Sequence, residues 1–194
     1  MITHFMIYFK WVKYMKYLIL TDIHGSSKYL DLVLNKVNDF DWLIILGDIL
    51  YHGPRNDLPN EYNPKKVIEI LNNLKEKIIA VRGNCDAEVD LMVLDFLIEQ
   101  NKWIYIENNK FFLTHGHVYN KSNMIENNEK YWMLYGHYHI NEVVKTPSAN
   151  FINLGSLTIP KDNHHSYAII ENSIYKSYDL LNDEILLEVN LNER

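Results

Sequence analysis

The sequence lacks several features that mark other classes of protein. Only one of its 194 residues is cysteine, so no internal disulfide framework is expected and a reducing, cytoplasmic location fits. No uncharged apolar stretch of about 18 residues occurs, because Lys10, Lys13 and Lys16 interrupt the apolar beginning of the chain. No linker rich in glycine, serine and proline is present, and no internal repeat. These absences predict a globular protein without a membrane span.

The chain also lacks an excess of positive charge. Its 19 lysines and arginines are outnumbered by 25 acidic residues, which gives a formal net charge of −6 at pH 7. Proteins that bind nucleic acid through bulk charge are usually basic, so this mode of binding is not expected. Histidine, by contrast, is plentiful at nine residues. Because histidine is the commonest metal ligand, the positions of these residues matter.

The chain divides into a short extension and a single predicted domain. The domain covers residues 15–194, because a buried first strand starts near Met15 and runs into a polar loop. Residues 1–14 are either an additional strand or arm, or sequence upstream of a true start at Met15. A signal peptide is not expected, since the segment has no small-residue cleavage site and its lysines lie inside the apolar part.

Strands and helices alternate in the first half of the predicted domain. Three apolar runs are typical of buried strands, at residues 17–21, 42–46 and 78–82. Two segments between them have helical periodicity, at residues 26–38 and 64–76, and Pro64 suits a first helical turn. This order of elements predicts a parallel sheet that is covered on both faces.

Short strand-like runs dominate the second half. They lie at residues 103–106, 110–114, 131–135, 142–145, 150–153, 167–171, 174–179 and 185–189. Several are separated by hairpin-sized gaps, which predicts a second, largely antiparallel sheet packed against the first. The expected fold is a two-sheet sandwich with helices outside.

Polar side chains follow five of the predicted strands, each beside a glycine. They are Asp22 and His24, Asp48, Asn84 with Cys85, His115 with His117, and His137 with His139. Ligands of parallel α/β sheets bind beyond the carboxyl ends of the strands. Carboxylate, imidazole and amide oxygen ligands suit Mn, Fe, Co, Ni or Zn, and more than four candidates favour two ions. A pair of ions about 3.5–4 Å apart is the usual clamp for displacement at phosphorus.

These motifs resemble those of the calcineurin-like metallophosphoesterases, whose series runs D-x-H, G-D, G-N-H-[ED], H and G-H-x-H. Four stretches are similar to the YfcE-like phosphodiesterases of bacteria, at residues 47–59, 81–90, 113–117 and 153–161. The resemblance extends from about Met15 almost to the C-terminus. It implies an α/β fold (α+β in some schemes), a four-layer αββα sandwich of two mixed β-sheets flanked by helices. It also implies an enzyme that hydrolyses small-molecule phosphodiesters.

The resemblance further implies two divalent metal ions. The implied ligands are Asp22, His24 and His139 for one ion, and Asn84, His115 and His137 for the other. Asp48 would bridge the two ions together with a hydroxide that attacks phosphorus. Mn is the first choice of metal from the resemblance and the ligand types, and Zn, Fe, Co and Ni are alternatives.

The motif series departs from the family at one position. Cys85 stands where the family has a histidine that binds or protonates substrate oxygens. Cys85 is thus either a proton donor or a small buried filler. His117 is the other candidate acid, with orientation of the ligands as its alternative role. Asn84, His52 and Arg55 are candidate substrate contacts, although the loop that carries His52 and Arg55 is equally suited to a subunit contact.

Two further functions stay open from the sequence. One is a phosphomonoesterase of the same fold. The other is a non-catalytic scaffold similar to the eukaryotic retromer subunit, in which the ligand positions are altered. All seven ligand positions are retained here, which favours the enzyme. A homo-oligomer is compatible with the sequence, whereas the physiological substrate and the native metal are not specified by it.

Overall fold

The computed structural model describes residues 15–193, so the predicted extension 1–14 lies outside the described residues. The helices are α1 (Ser27–Lys36) and α2 (Pro64–Asn72), with short 3-10 turns at Lys75–Lys77 and Asp90–Met92. The strands are β1 (Tyr17–Leu20), β2 (Trp42–Ile45), β3 (Ile78–Val81), β4 (Ile98–Glu99), β5 (Lys102–Ile106), β6 (Asn109–Leu113), β7 (Tyr131–Tyr135), β8 (Glu142–Lys145), β9 (Ala149–Asn153), β10 (Ser166–Glu171), β11 (Ile174–Asp179) and β12 (Ile185–Asn190). None of the helices in this range has the length and apolar character that crossing a membrane requires.

The strands form two mixed sheets, as predicted. The seven-stranded sheet has the order β12-β11-β10-β1-β2-β3-β4, in which β1 to β4 are parallel and β10 to β12 are antiparallel. The five-stranded sheet has the order β5-β6-β7-β9-β8. Its two central pairs, β6–β7 and β7–β9, are parallel, and its two outer pairs are antiparallel.

Two details of the expected topology are corrected. The second sheet is not largely antiparallel, because the long connection after β6 brings the chain back so that β7 runs parallel to β6. Three strands of the second half extend the first sheet instead, where β10 pairs with β1. Hairpin-sized gaps predict which neighbours pair, but they do not predict the sheet that a hairpin joins.

Alternate residues of β1 face two different hydrophobic layers. Leu18 and Leu20 pack with Leu30 of α1 and Val67 of α2, outside the seven-stranded sheet. Ile19 points the other way and packs between the sheets. Each fully buried side chain of this size stabilises the fold by about 1.5–3 kcal/mol. Because β1 is buried on both faces, its residues are continuously apolar and do not alternate between apolar and polar.

The helices begin close to the predicted residues. The Asn63 side chain caps α2 by accepting a hydrogen bond from the Lys66 amide at 3.2 Å, and Pro64 occupies the first turn. Helix α2 ends at Asn72, earlier than predicted, and is followed by a 3-10 turn. Both helices pack on the seven-stranded sheet, whereas the loop after β6 covers the outer face of the five-stranded sheet with Tyr119 and Met124.

Candidate metal centre

The loops that follow β1, β2, β6 and β7 converge at one edge of the sandwich. The Asp22 amide donates a hydrogen bond to Gly47 O at 3.1 Å, and the Gly136 amide donates to His115 O at 2.9 Å. A further bond links the two sheets, because the His137 amide donates to Asp22 Oδ2 at 3.1 Å. The carboxyl ends of the central strands therefore meet, which is where ligands of such sheets bind.

Asp22 is fully buried, and its two carboxylate oxygens have different surroundings. Oδ2 accepts hydrogen bonds from Thr21 Oγ1 at 2.7 Å and from the His137 amide at 3.1 Å. Oδ1 lies 3.1 Å from His139 Nε2 and 3.6 Å from His24 Nε2. Among the described residues, Asp22 Oδ1 and His24 Nε2 are buried without a hydrogen-bond partner. Buried polar atoms nearly always have one, so these groups fit a divalent cation.

Asp48 lies between two imidazoles. Its Oδ2 is 3.4 Å from His115 Nε2 and 3.8 Å from His24 Nε2. Its Oδ1 accepts a hydrogen bond from the Cys85 amide at 2.8 Å, which ties the loop after β3 to the site. The Asn84 Oδ1 atom is 3.1 Å from His115 Nε2. The Asp48 carboxylate thus stands between His24 of one predicted ligand set and His115 of the other.

Backbone carbonyls orient three of the predicted ligands, His24, His115 and His139. Each ring donates its Nδ1–H to a carbonyl oxygen. The acceptors are Tyr51 O at 2.8 Å, Leu46 O at 2.7 Å and Ile159 O at 2.7 Å, respectively. With the proton fixed on Nδ1, the neutral form of each ring has its Nε2 lone pair directed into the site, as metal-binding histidines require.

Charge balance at the site depends on the buried carboxylates. Burial alone would raise the pKa of Asp22, but His139 and His24 outweigh it and hold that pKa well below its usual range. Burial alone would lower the pKa of His115, but Asp48 and Asp22 raise it to about 9. The carboxylates therefore stay ionised and need positive charge close by. A protonated imidazole supplies it in the protein alone, and divalent cations fit the same requirement.

The backbone is left-handed at five of the predicted ligands. Their φ angles are 53° at Asp22, 47° at His24, 54° at Asp48, 69° at His137 and 61° at His139. Residues other than glycine rarely adopt this conformation, at a cost of about 1–3 kcal/mol each. Such strain clusters at functional sites, where the surrounding structure holds the side chains in place.

Asp86 supports the site without being among the predicted site residues. Its buried carboxylate accepts hydrogen bonds from the amides of Asp48 at 2.9 Å, Ile49 at 2.7 Å and Gly83 at 2.7 Å. Burial raises the pKa of Asp86 despite these bonds. A Cβ on Gly83 would overlap the Asp48 carboxylate, so only glycine fits there. The acidic position that ends the G-N-x-[ED] motif is the sequence signal that identifies Asp86.

His137 is close to the other ligands but is less completely enclosed. Its ring centroid lies 5.1 Å from that of His115. Burial and the charge of His115 lower the pKa of His137 to about 4, so its imidazole is neutral, the form that binds metals. Three clusters in the described residues have ligand atoms within 4.8 Å of one another, namely Asp22-His24-His139, Asp22-Asp48-His115 and His24-Asp48-Cys85. His137 belongs to none of them, and its role as a ligand stays a prediction.

The two candidate acids differ in their surroundings. Cys85 is half-buried, and its sulfur lies within 4.8 Å of the ligand atoms of His24 and Asp48. Burial and the Asp48 charge raise the pKa of Cys85 to about 12, so the thiol keeps its proton. His117 is exposed, with its ring centroid 5.5 Å from that of His115. Burial and His115 lower the pKa of His117, which favours the neutral ring.

The two candidate substrate contacts after Asp48 have different surroundings in the structure. The His52 ring packs edge-on against Tyr51 and Tyr62, with centroids 4.8 and 5.3 Å away. Its Nδ1 atom is buried without a hydrogen-bond partner among the described residues. Arg55 is exposed and lines a cavity that also touches His139. Arg55 therefore faces a cavity beside the candidate centre, whereas His52 is packed into its own loop.

Comparisons with known proteins agree with this architecture. A sequence model of the calcineurin-like phosphoesterase superfamily domain matches residues 15–173. Phosphodiesterase YfcE of Escherichia coli K12 is 40% identical over 183 residues, which span 92% of this chain and 99% of that protein. The solved structure of the Escherichia coli phosphoesterase YfcE superposes with a TM-score of 0.87, covering 92% of this chain and 100% of the other.

A more distant structure shares the fold alone. Wild-type Vps29 of Entamoeba histolytica, solved in complex with Zn2+, is 18% identical and has a TM-score of 0.57. The match covers 92% of this chain and all of that one. Identity this low shows a shared architecture but does not indicate a shared activity. The relative that is 40% identical, by contrast, matches nearly the whole chain. The chain therefore belongs to the calcineurin-like phosphoesterase superfamily, and it is a phosphoesterase.

Proposed function

We propose that this phosphoesterase is a metal-dependent phosphodiesterase acting on small-molecule phosphodiesters in the cytoplasm. The observation that carries the proposal is the group of buried, unpartnered ligand atoms at Asp22 and His24, enclosed by the strand-end loops. The 40% identity to a protein named a phosphodiesterase supports the diester over the monoester. The net charge of −6 supports a small substrate rather than nucleic acid held by bulk charge.

Two divalent cations are proposed, with Mn as the first choice. Asp22, His24 and His139 would hold one, and Asn84, His115 and His137 would hold the other. The position of the Asp48 carboxylate, 3.8 Å from His24 Nε2 and 3.4 Å from His115 Nε2, supports its role as the shared ligand. When bound, such cations polarise the phosphoryl group and lower the pKa of water, which is the chemistry that hydrolysis at neutral pH needs.

The protein's own residues orient the reaction. The carbonyl oxygens of Tyr51, Leu46 and Ile159 fix the imidazole rings, and Asp86 fixes the Asp48 backbone. We propose the thiol of Cys85, which keeps its proton, as the proton source for the leaving group; the alternative is the exposed imidazole of His117, whose lowered pKa favours the neutral ring. Asn84 and Arg55 are proposed to contact the substrate. Assembly into a homo-oligomer stays a prediction.

The test is reconstitution of metal-dependent activity. Chelated protein is mixed separately with Mn2+, Co2+, Ni2+, Zn2+ or Fe2+, and hydrolysis of bis(p-nitrophenyl) phosphate is followed. We expect turnover of the diester with at least one ion. We also expect kcat/KM for the monoester p-nitrophenyl phosphate to be lower than that for the diester by about tenfold or more. A higher rate on this monoester assigns a phosphomonoesterase instead. Absence of turnover with every ion refutes catalysis.

Two variants, each of which removes one carboxylate charge, distinguish loss of activity at the site from a general effect on the protein. Asp48→Asn is expected to reduce turnover by about 100-fold or more, because a shared ligand is lost. The control is Asp31→Asn, which removes an exposed carboxylate paired with Lys66 on the helical side of the fold. Near-normal turnover in Asp48→Asn contradicts the shared-ligand assignment.

A further inference from the structure

A cavity of about 440 Å³ lies against one side of the candidate metal centre. His139 contributes to its lining, so the cavity reaches the Asp22-His24-His139 cluster. Residues 55–60 line it from one direction and residues 158–161 from another. A substituent of a substrate that is held at the cluster therefore has this space beside it.

The two walls of the cavity belong to segments that also orient predicted ligands. The loop that carries Arg55 contains Tyr51, whose carbonyl accepts the Nδ1–H of His24 at 2.8 Å. The opposite segment contains Ile159, whose carbonyl accepts the Nδ1–H of His139 at 2.7 Å. In that segment the Lys161 amide also donates to His139 O at 2.9 Å. The walls are thus fixed relative to the reacting centre.

Two cations from these walls face the cavity, Arg55 and Lys161. Both are exposed, and the side chain of neither forms a hydrogen bond or an ion pair within residues 15–193. Asp57 is the one carboxylate of the lining, so the charged side chains of the cavity sum to a net positive charge. Asn56 and Asn60 add amide groups. This chemistry favours an anionic group with hydrogen-bond acceptors.

We propose that this cavity binds a second anionic group, a phosphate or a carboxylate, carried by one substituent of the phosphodiester substrate. Arg55 and Lys161 bind that group while the diester phosphorus is held at the Asp22-His24-His139 side of the centre. The inference rests on the proposed phosphodiesterase function and specifies its substrate class. It makes Lys161 a specificity-determining residue.

Matched substrates test the proposal with the metal-loaded enzyme. Thymidine 5′-(p-nitrophenyl phosphate) is compared with the same compound carrying a 3′-phosphate, which differs only in the second anion. The p-nitrophenyl phosphodiesters of propanol and of 3-hydroxypropanoate form a second pair, for a carboxylate. We expect kcat/KM to be about tenfold higher for the doubly anionic member of at least one pair. The pair that shows the preference identifies phosphate or carboxylate.

Variants locate the origin of the preference. In Arg55→Met combined with Lys161→Met, the ratio of kcat/KM within the preferred pair is expected to fall to about one. Raising NaCl from about 0.05 to 0.5 M is expected to reduce the same ratio in the wild type, because exposed charge pairs are screened. Lys65→Met, an exposed cation on α2, is the control and leaves the ratio unchanged.

The outcomes are distinguishable from failure of the proposed function. Hydrolysis of all four substrates with equal kcat/KM within each pair refutes the anion subsite and leaves the phosphodiesterase intact. A preference that persists in the double variant refutes the assignment to Arg55 and Lys161. Absence of metal-dependent hydrolysis with every substrate refutes the phosphodiesterase itself.

Discussion

Some residues around the centre act by holding the backbone of neighbouring residues in place, and Asp86 is the main example. Asp86 contacts no substrate group in the proposed function, yet its two carboxylate oxygens accept three amide hydrogen bonds. Two of these come from Asp48 and Ile49 at the end of β2, and one comes from Gly83 at the end of β3. A buried carboxylate with three charge-assisted bonds is a strong positional constraint. It holds the two strand ends at the spacing that the Asp48 side chain needs.

Asp86→Asn is expected to disturb both stability and catalysis. An amide in place of the carboxylate sets an NH2 group against a backbone N–H donor, which should lower the free energy of unfolding by about 1–3 kcal/mol. Displacement of Asp48 should lower kcat by about 10–100-fold. Urea unfolding and steady-state kinetics measure the two effects. Asp90→Asn is the control, since the Asp90 side chain accepts a bond from the Ala87 amide outside this constraint. Unchanged kcat in Asp86→Asn contradicts the role.

At the scale of elements, the ends of the strands carry the site and other contacts fix the connecting loops. One such contact joins the segment before β10 to the end of β11, where His164 Nδ1 lies 2.8 Å from Asp179 Oδ2. The Asp179 hydrogen bond raises the pKa of His164. Burial would raise the pKa of Asp179, but His164 and nearby amides lower it. The pair is therefore an ion pair at mildly acidic pH.

The stabilisation from this pair should depend on pH in a defined direction. The His164 contribution is present below pH 6.5 and is lost as the pH rises through its raised pKa. The Asp179 contribution is present above pH 3.8 and is lost as the pH falls through its lowered pKa. The pair is thus most stabilising between these limits, by less than about 1 kcal/mol because it is partly exposed.

Urea unfolding of chelated protein checks this dependence. The destabilisation caused by His164→Gln is expected to be larger at about pH 5.5 than at about pH 8.5. His165→Gln is the control, because His165 donates its Nδ1–H to Leu157 O at 2.8 Å rather than to a carboxylate. An equal effect of His164→Gln at both pH values contradicts the ion pair.

For the whole molecule, the centre joins two sheets that pack against each other through a shared apolar layer. Asp22, His24, Asp48 and Asn84 follow strands of the seven-stranded sheet, whereas His115, His137 and His139 follow strands of the five-stranded sheet. Ions at the proposed centre would have ligands from both sheets, which only the folded chain brings together. Metal binding and global stability should therefore be coupled.

Addition of Mn2+ to chelated protein is expected to raise the melting temperature. At about 100 times the dissociation constant, binding contributes about 2.7 kcal/mol. For a chain of this length that corresponds to a rise of about 5–10 °C. Differential scanning calorimetry measures the shift, and Asp48→Asn should reduce it at the same Mn2+ concentration. A melting temperature that no divalent cation changes argues against a metal centre between the sheets.

Much of the fold and of the site could be predicted from the sequence, because both depend on local patterns. Eleven of the twelve strands that the structure describes lie where apolar runs predicted them, and only the two-residue β4 is too short to give a signal. The strand-end motifs predicted side chains that the structure brings together, such as Asp22 with His139 and Asp48 with His115. These motifs lie at strand ends because a turn must follow each buried strand.

Tertiary structure alone decided the rest, because those features depend on atoms far apart in the chain. The carbonyls of Leu46 and Ile159 that orient the imidazoles are backbone groups without a sequence signal. The mixed order of the five-stranded sheet follows from a long connection whose path no local pattern sets. Arg55 and Lys161 meet at one cavity only because β1 pairs with both β2 and β10. The sequence by itself determined which chemical groups the site offers, and packing determined which of them face one another.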